Sequence, residues 1–261
     1  RPRPIDLQSG ISHVERSRPL LALSELSWID VAAHLARDSR LIIPVGAIEQ
    51  HGAHLPLASN VLIARRLATD LSEEFGVLRA PAFDYGVTQD SDHAFAGTAS
   101  LSRKTLHRCM NELLSAWERH GVTEFVIITA HRYEPHLESL ATLVTRRARV
   151  RVVEAWDVDI SDLLDAQSEP LSGGEAETSV MLYLYPELVR MDRVRTPAAP
   201  GVGADRSTDS REGARVPAGA GAIGLPVTAT AEKGRLIYHR ILNAIRRAVF
   251  LAPEDQESDT L

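Results

Sequence analysis

Short apolar runs alternate with amphipathic stretches along most of the chain. The amphipathic stretches carry apolar residues three or four positions apart, which predicts helices. The apolar runs are rich in β-branched residues and predict strands at LIIPVGAI (41–48), VLRAPAF (77–83), EFVIITA (124–130) and VRVVEAW (150–156). The predicted helices cover residues 61–76, 101–121, 137–148 and 177–189, with a further one inside 23–40 that has Ser27 as its N-cap. This alternation is typical of an α/β fold with a mostly parallel sheet between helices.

Composition separates one folded region from three less apolar segments. Residues 1–20 mix Pro, Arg and Ser and are expected to form an N-terminal arm, and the acidic residues 253–261 are expected to be frayed. Residues 192–220 are rich in Gly, Pro, Ala and Arg, and we predict a lid or an oligomer-contact segment there. A single α/β domain is therefore predicted over residues 21–252.

Charge, apolar run length and cysteine content argue against nucleic-acid-binding, membrane-spanning and disulfide-linked proteins. The formal net charge is -6 and the basic residues are interleaved with acids, which argues against a nucleic-acid surface. No apolar run approaches the roughly 20 residues needed to cross a bilayer, and the one cysteine, Cys109, cannot form an internal disulfide. We expect a cytoplasmic enzyme with a small-molecule substrate, no nucleic acid and no membrane partner.

The first candidate cluster follows the first strand. Glu49 and His51 are two residues apart, so in an extended chain they project from the same face. A carboxylate and an imidazole on one side can begin a Zn²⁺ or Mn²⁺ site. A surface glutamate beside a turn histidine would give the same pair by chance.

Two further polar groups follow later elements of the predicted sheet. His131 comes directly after the most apolar strand, where it could be a ligand or a satisfied core histidine. Glu175 and Glu177 follow a glycine pair at the start of a helix, where acids also oppose the helix dipole. Because the carboxyl ends of parallel strands lie at one edge of a sheet, we expect the strand-end groups to converge there.

Five motifs together resemble the creatininase, or creatinine amidohydrolase, family. They are PVGAIEQHGAHLPL, DSDHAFAGTASLS (90–102), the His131 loop, GGEAETSVML and GAIGLPVTATAEKGR (221–235), and they span residues 24 to about 245 in the family's order. The resemblance implies a three-layer α/β/α domain, commonly a hexamer. It also implies a two-metal site, with Zn or Mn, that hydrolyses non-peptide C–N bonds in cyclic or formyl amides.

The resemblance also implies roles for individual residues. Glu49, His51 and His131 match metal ligands, and Asn60 falls where the family has the aspartate that bridges both metals. Glu175 is the candidate for the last ligand. The rival is Glu134, from the loop after the histidine.

Two departures from the family pattern bear on the metal. A bridging ligand offers two anionic oxygens, whereas the amide of Asn60 offers one oxygen and no charge. The histidine that assists proton transfer in the family is replaced by Ser172. We therefore expect one or two divalent ions, or no tightly bound metal.

Three functions stay open at this stage. The first is a metal-dependent amidohydrolase in which Glu134, Glu177 or His93 moves protons. The second is a non-hydrolytic biosynthetic enzyme, for a cyclisation, dehydration or isomerisation, that uses Glu49, His93, His131 and Tyr133 with one metal or none. The third is a non-catalytic family member that serves as a subunit of an assembly.

Overall fold

The structure is a computed structural model, in which residues 21–165, 168–194, 222 and 224–251 are described. The arm predicted for residues 1–20 and the tail predicted for 253–261 lie outside these ranges. So does nearly all of the segment 192–220, of which only the end of the short 3-10 helix Met191–Arg193 and residue 194 are described. Among the described residues, no helix combines the length and apolar character that crossing a bilayer requires.

Four parallel strands form the central sheet, as the sequence predicts. They are β1 (Arg40–Val45), β2 (Leu78–Arg79), β3 (Glu124–Thr129) and β4 (Arg149–Glu154), in the order β2-β1-β3-β4. Val45 lies opposite Thr129, so the two central strands end at the same level of the sheet. The loops after β1 and β3 therefore leave the sheet side by side.

Helices cover both faces of the sheet and complete the three-layer α/β/α architecture. They are α1 (Trp28–Leu35), α2 (Ser59–Phe75), α3 (Arg103–Arg119), α4 (Glu134–Ala141), α5 (Glu175–Leu184) and α6 (Ala231–Ile245). One core cluster packs α2, α5 and α6 against Ile42, Val126 and Ile128. The other packs α3 and α4 against Leu41, Ile43 and Ile127, because alternate strand residues point to opposite faces.

Local signals placed some helix ends well and others poorly. Ser27 accepts a hydrogen bond from the backbone N–H of Asp30 and caps α1 as predicted, and Gly76 ends α2 with a φ of 68°. The helix predicted for 137–148 instead begins at Glu134, because Pro135 in its first turn favours helix initiation there. The helix predicted for 177–189 begins at Glu175 and ends at Leu184.

Helix α6 is an element that the sequence analysis did not predict. Its interior contains Gly234, which lowers intrinsic helix propensity. A Cβ at Gly234 would lie 1.8 Å from the carbonyl oxygen of Ser179 in α5. The glycine is therefore required by the close approach of these two helices.

Candidate metal centre

A cavity of about 490 Å³ opens at the carboxyl ends of β1 and β3. The polar clusters of the sequence converge on it, as expected for a parallel sheet. Its lining residues come from four loops and from the starts of α2 and α5: Glu49, Gln50, His51, Asn60, Gln89, Ser91, Asp92, Phe95, Ala130, His131, Arg132, Tyr133, Trp156, Glu169, Pro170, Leu171, Ser172 and Glu177.

The carboxylate of Glu49 is the centre of the buried cluster. Its Oε1 atom lies 2.9 Å from Nδ1 of His131 and accepts a hydrogen bond of 3.0 Å from Nδ2 of Asn60. The same oxygen lies 3.8 Å from Nε2 of His51. Three nitrogens therefore surround one carboxylate oxygen.

The amide of Asn60 is fixed at both ends. Its Oδ1 accepts a hydrogen bond of 3.0 Å from the backbone N–H of Ala47, which can only donate. The amide orientation follows from that donor, and it directs Nδ2 toward Glu49. The oxygen of Asn60 is thus already committed to the backbone and does not face the histidines.

His51 is held by the carboxylate of Glu177. Nδ1 of His51 lies 3.0 Å from Oε1 and 3.1 Å from Oε2 of Glu177, and Oε2 also accepts a 2.6 Å hydrogen bond from the backbone N–H of Gly173. Gly173 has a φ of 63°, and a Cβ on it would lie 2.7 Å from the carbonyl oxygen of His51. The glycine thus allows the loop before α5 to approach the loop after β1.

The charges of His51 and Glu177 shift each other's pKa. Burial opposes the charged ring and is the largest influence on the pKa of His51, but Glu177 and Glu49 together outweigh it and raise that pKa. Burial also opposes the charged carboxylate of Glu177, yet the contacts with His51 and Gly173 lower its pKa. The second ring nitrogen of His51, Nε2, is buried and has no hydrogen-bond partner among the described residues.

His131 leaves the end of β3 and reaches the opposite side of Glu49. Its Nε2 lies 2.7 Å from the carbonyl oxygen of Val87, which can only accept, so Nε2 carries a proton. The other ring nitrogen, Nδ1, faces Glu49. In the neutral ring Nδ1 has a lone pair, the form in which histidine binds metals.

Glu175, the predicted last ligand, lies outside the cavity lining. The fully buried carboxylate lies 2.5 Å from Nζ of Lys233 and accepts a hydrogen bond from the backbone N–H of Asp165. Lys233 also donates to the Asp165 side chain and to the carbonyl of Thr228. Glu177, two residues further on, is the glutamate that joins the cluster.

Of the other residues predicted for proton transfer, two line the cavity and two do not. Tyr133 and Ser172 line the cavity. Glu134 is exposed in the first turn of α4, and His93 is exposed on the short 3-10 helix Asp90–Ala94, so neither lies in the cavity lining. The geometry therefore opposes proton-transfer roles for Glu134 and His93.

Asp92 is a cavity residue that the sequence analysis did not select for the site. It is buried, and its Oδ1 accepts a 2.9 Å hydrogen bond from Nε2 of Gln50. Burial raises the pKa of this carboxyl above its ordinary value, although the Gln50 bond opposes the shift. The motif DSDH lies in one of the segments that carry the family resemblance. The sequence alone does not show which of the adjacent Asp92 and His93 lines the cavity.

Three possible metal-binding atoms lie close together beyond the end of β1. Donor atoms that bind one Zn²⁺ ion tetrahedrally at about 2.0–2.2 Å lie about 3.3–3.6 Å apart, between the 2.9 Å separation of Glu49 from His131 and its 3.8 Å separation from His51. The unpartnered Nε2 of His51 adds a third donor directed at the same carboxylate. In the described ranges, however, no group of three or more His, Cys, Asp or Glu side chains is arranged so that it could hold a metal ion.

Comparison with known proteins gives a consistent family match. The family model described as creatinine amidohydrolase matches residues 24–249. Creatinine amidohydrolase of Pseudomonas putida is 30% identical over 250 residues, which cover 87% of this chain and 95% of that protein. The mycofactocin precursor peptide peptidase of Mycobacterium ulcerans (strain Agy99) is 31% identical over 216 residues, covering 78% and 81%.

Solved structures match over a similar extent. A creatininase structure described as the Mn form has a TM-score of 0.74 and 29% identity, and covers 87% of this chain and 98% of its own. A glutamate-to-glutamine creatininase variant described as Zn-Zn type has a TM-score of 0.73 and 30% identity, with the same coverage. The metals named for these structures are the two expected from the sequence.

Proposed function

The chain belongs to the creatinine amidohydrolase family, and from that membership we propose that it hydrolyses a non-peptide C–N bond of a small cyclic or formyl amide with one divalent ion, Zn²⁺ or Mn²⁺. One observation carries the proposal. Donor atoms of Glu49, His51 and His131 converge in a cavity at the carboxyl edge of the sheet.

Glu49, His51 and His131 would hold the ion. His131 donates a hydrogen bond from Nε2 to the Val87 carbonyl, and His51 donates one from Nδ1 to Glu177. In the neutral rings, the lone pair that can bind a metal is therefore on Nδ1 of His131 and on Nε2 of His51. A carboxylate that fixes a ligand histidine in one tautomer also raises the basicity of that histidine. Glu177 therefore acts here as the residue that orients His51.

A second ion is disfavoured by Asn60. Two cations held close together need an anionic bridge, and the only oxygen of Asn60 accepts from the backbone of Ala47. The amide N–H groups instead supply positive charge density to Glu49. A hydrogen-bond donor thus takes the place of a cation at this carboxylate.

When bound, the ion would polarise the substrate carbonyl and lower the pKa of a water molecule. The chain's own groups supply proton transfer and positioning. Asp92, whose buried carboxyl group lines the cavity and accepts a hydrogen bond from Gln50, is the candidate group for moving a proton to the leaving nitrogen. The Ser172 hydroxyl is available as a hydrogen-bond donor where the family pattern has a histidine.

Aromatic and charged side chains form the substrate wall. Trp156 is anchored by a 2.9 Å hydrogen bond from its Nε1 to the carbonyl of Ala130, and Tyr133 lies near His131. Arg132 lies 3.7 Å from Glu154 and from Glu169, beyond hydrogen-bond range, so its donors stay available to a substrate carboxylate. These contacts would orient the amide and exclude water.

A terminal amide of a short peptide is a second candidate substrate. The cavity of about 490 Å³ lies within the usual range for sites that hold drug-sized ligands and exceeds what a small ring alone needs. The peptide peptidase relatives support the same class. By contrast, nothing in the geometry favours the non-hydrolytic or non-catalytic alternatives.

A homo-oligomer, a hexamer by family resemblance, remains part of the proposal. The side chains of Trp28 and Ile29 on α1 are 80% and 60% exposed. Large apolar side chains of this kind are commonly covered at subunit contacts.

The test is a count of metal ions per chain, made beside turnover. We expect one Zn²⁺ or Mn²⁺ per chain in the natural sequence and two in Asn60→Asp, together with chelator-sensitive hydrolysis of cyclic, formyl and peptide amides. Glu49→Gln is the control and should bind neither ion tightly. Two ions in the natural sequence would contradict the mononuclear site, and turnover that survives chelation would contradict the metal-dependent mechanism.

A further inference from the structure

The peptide groups of Val87 join two buried histidines. Its N–H donates a 3.3 Å hydrogen bond to Nδ1 of His136, and its carbonyl oxygen accepts a 2.7 Å hydrogen bond from Nε2 of His131. His136 lies in α4, five residues after His131, and is fully buried outside the cavity lining. It therefore lies behind the candidate metal centre and does not face the cavity.

The protonation of His136 follows from its neighbours. A backbone N–H can only donate, so the Nδ1 atom that faces Val87 carries no proton. The ring is then neutral with its proton on Nε2, which donates to Oγ1 of Thr129 at 3.2 Å. One tautomer of His136 satisfies both of its hydrogen bonds.

Thr129 provides a second connection to the same ligand. Its Oγ1 also accepts a 3.2 Å hydrogen bond from the backbone N–H of His131. The two imidazole rings lie edge to face, with centroids 4.6 Å apart. His136 thus packs against the ring of His131 and hydrogen-bonds Val87 and Thr129, which bind the ring Nε2 and the backbone N–H of His131.

The segment before Val87 has little room to move. A Cβ on Gly86 would lie 2.5 Å from the carbonyl oxygen of Gly46 and 2.6 Å from Nδ1 of His136. Gly86 therefore lies directly against the His136 ring on one side and the β1 loop on the other. The position of the Val87 carbonyl consequently depends on the presence of the imidazole.

We propose that His136 is a positioning residue, which holds the Val87 carbonyl and the Thr129 hydroxyl so that the His131 ring keeps Nε2 on Val87 and Nδ1 toward Glu49. The metal-binding consequence rests on the function proposed above. The orientation of the His131 ring does not, because the hydrogen bond from its Nε2 to Val87 is present in the protein without metal. Hydrogen bonds around a ligand histidine commonly contribute 10- to 100-fold to metal affinity.

The experiment compares three variants in the full chain. His136→Leu removes both hydrogen bonds of the ring. His136→Asn keeps an acceptor near the position of Nδ1, and His120→Leu, an exposed histidine after α3, is the control. ¹H–¹⁵N spectra of the metal-free proteins report the Nε2–H group of His131 and its hydrogen bond to Val87. Competition with a chromophoric chelator reports Zn²⁺ affinity.

We expect the natural protein, His136→Asn and His120→Leu to show the hydrogen-bonded Nε2–H signal of His131. His136→Leu should lose or shift that signal and bind Zn²⁺ about 10- to 100-fold more weakly, whereas His136→Asn should stay within about threefold of the natural protein. An unchanged His131 spectrum and unchanged Zn²⁺ affinity in His136→Leu would overturn the proposal.

Two further results would still decide the proposal. Should His136→Leu fail to fold, His136→Gln replaces it, because glutamine reaches Thr129 but loses the acceptor for Val87. Retention of the hydrogen-bonded Nε2–H signal of His131 in that variant would contradict the proposal. Should the natural protein bind no Zn²⁺, the metal function fails, and the ¹⁵N comparison alone decides whether His136 positions His131.

Discussion

Two buried carboxylates at the start of α5 have opposite surroundings. Glu177 lies at the cavity and contacts His51, a side chain that can lose its charge. Glu175, two residues earlier, contacts Lys233, which stays charged across the physiological range. Both carboxylates are almost completely buried, at 5% and 0% exposure.

The difference separates a functional carboxylate from a structural one. The Glu175–Lys233 pair joins α5 to α6 and to the loop at Asp165, so it fixes the helices that support the cavity wall. The Glu177–His51 pair leaves an unpartnered ring nitrogen next to Glu49. Burial alone therefore does not identify the site, but the partner of each carboxylate does.

The largest effect is expected from breaking the structural pair. Glu175→Gln removes the buried partner of Lys233 but leaves Asp165 beside its ammonium group. The loss of unfolding free energy should therefore be about 3 kcal/mol, the lower end of the range for breaking a buried pair. Denaturant unfolding measures this loss. The kcat of the protein that remains folded should stay close to that of the natural chain.

A double variant makes this prediction sharper. Glu175→Gln combined with Lys233→Met removes both charges, and it should recover part of the lost stability because no buried charge is left unpaired. The loss of unfolding free energy in the double variant should be smaller than the sum of the losses in Glu175→Gln and Lys233→Met. If it equals or exceeds that sum, the pair is not the origin of the effect.

The spacing of the two glutamates explains why the sequence could not assign them. Residues two apart on a helix point about 200° away from each other at 3.6 residues per turn. The pattern E-x-E therefore indicates that one carboxylate faces away from the other. Which one faces the cavity depends on how α5 packs against α6, and α6 was not predicted because Gly234 weakens its helical pattern.

The fold and the strand-end clusters were more predictable. The runs that form β1, β3 and β4 are apolar and rich in β-branched residues, and they coincide with predicted strands to within a few residues. Because parallel strands share a carboxyl edge, Glu49, His51 and His131 could be brought together without coordinates. Asp92 and His136 could not, since each gains its role from a contact with a distant segment.

A smaller effect is expected at the functional carboxylate. Glu177→Gln keeps a group that can hydrogen-bond Gly173 but removes the charge that fixes His51, so Zn²⁺ affinity should fall about 10- to 100-fold. This corresponds to about 1.4–2.7 kcal/mol of binding free energy. Chelator competition measures it, with Glu175→Gln as the matched control that should retain the natural affinity.

The smallest effect is a pH dependence that only the functional pair should show in metal-free protein. The lowered pKa of Glu177 gives stability that is present above its ordinary value of about 4.5 and lost as pH falls. The raised pKa of His51 gives stability that is present below about 6.5 and lost as pH rises. The pair should therefore stabilise the fold most between about pH 4.5 and 6.5.

The comparison of variants isolates this dependence. The difference in unfolding free energy between the natural chain and Glu177→Gln should be greatest in that window and decline toward pH 9, because other histidines such as His136 contribute equally to both proteins. The corresponding difference for Glu175→Gln should stay flat over the same range, since Lys233 does not titrate there. Parallel pH profiles for the two variants would mean that both carboxylates serve only the fold, and the assignment of Glu177 to the metal centre would fail.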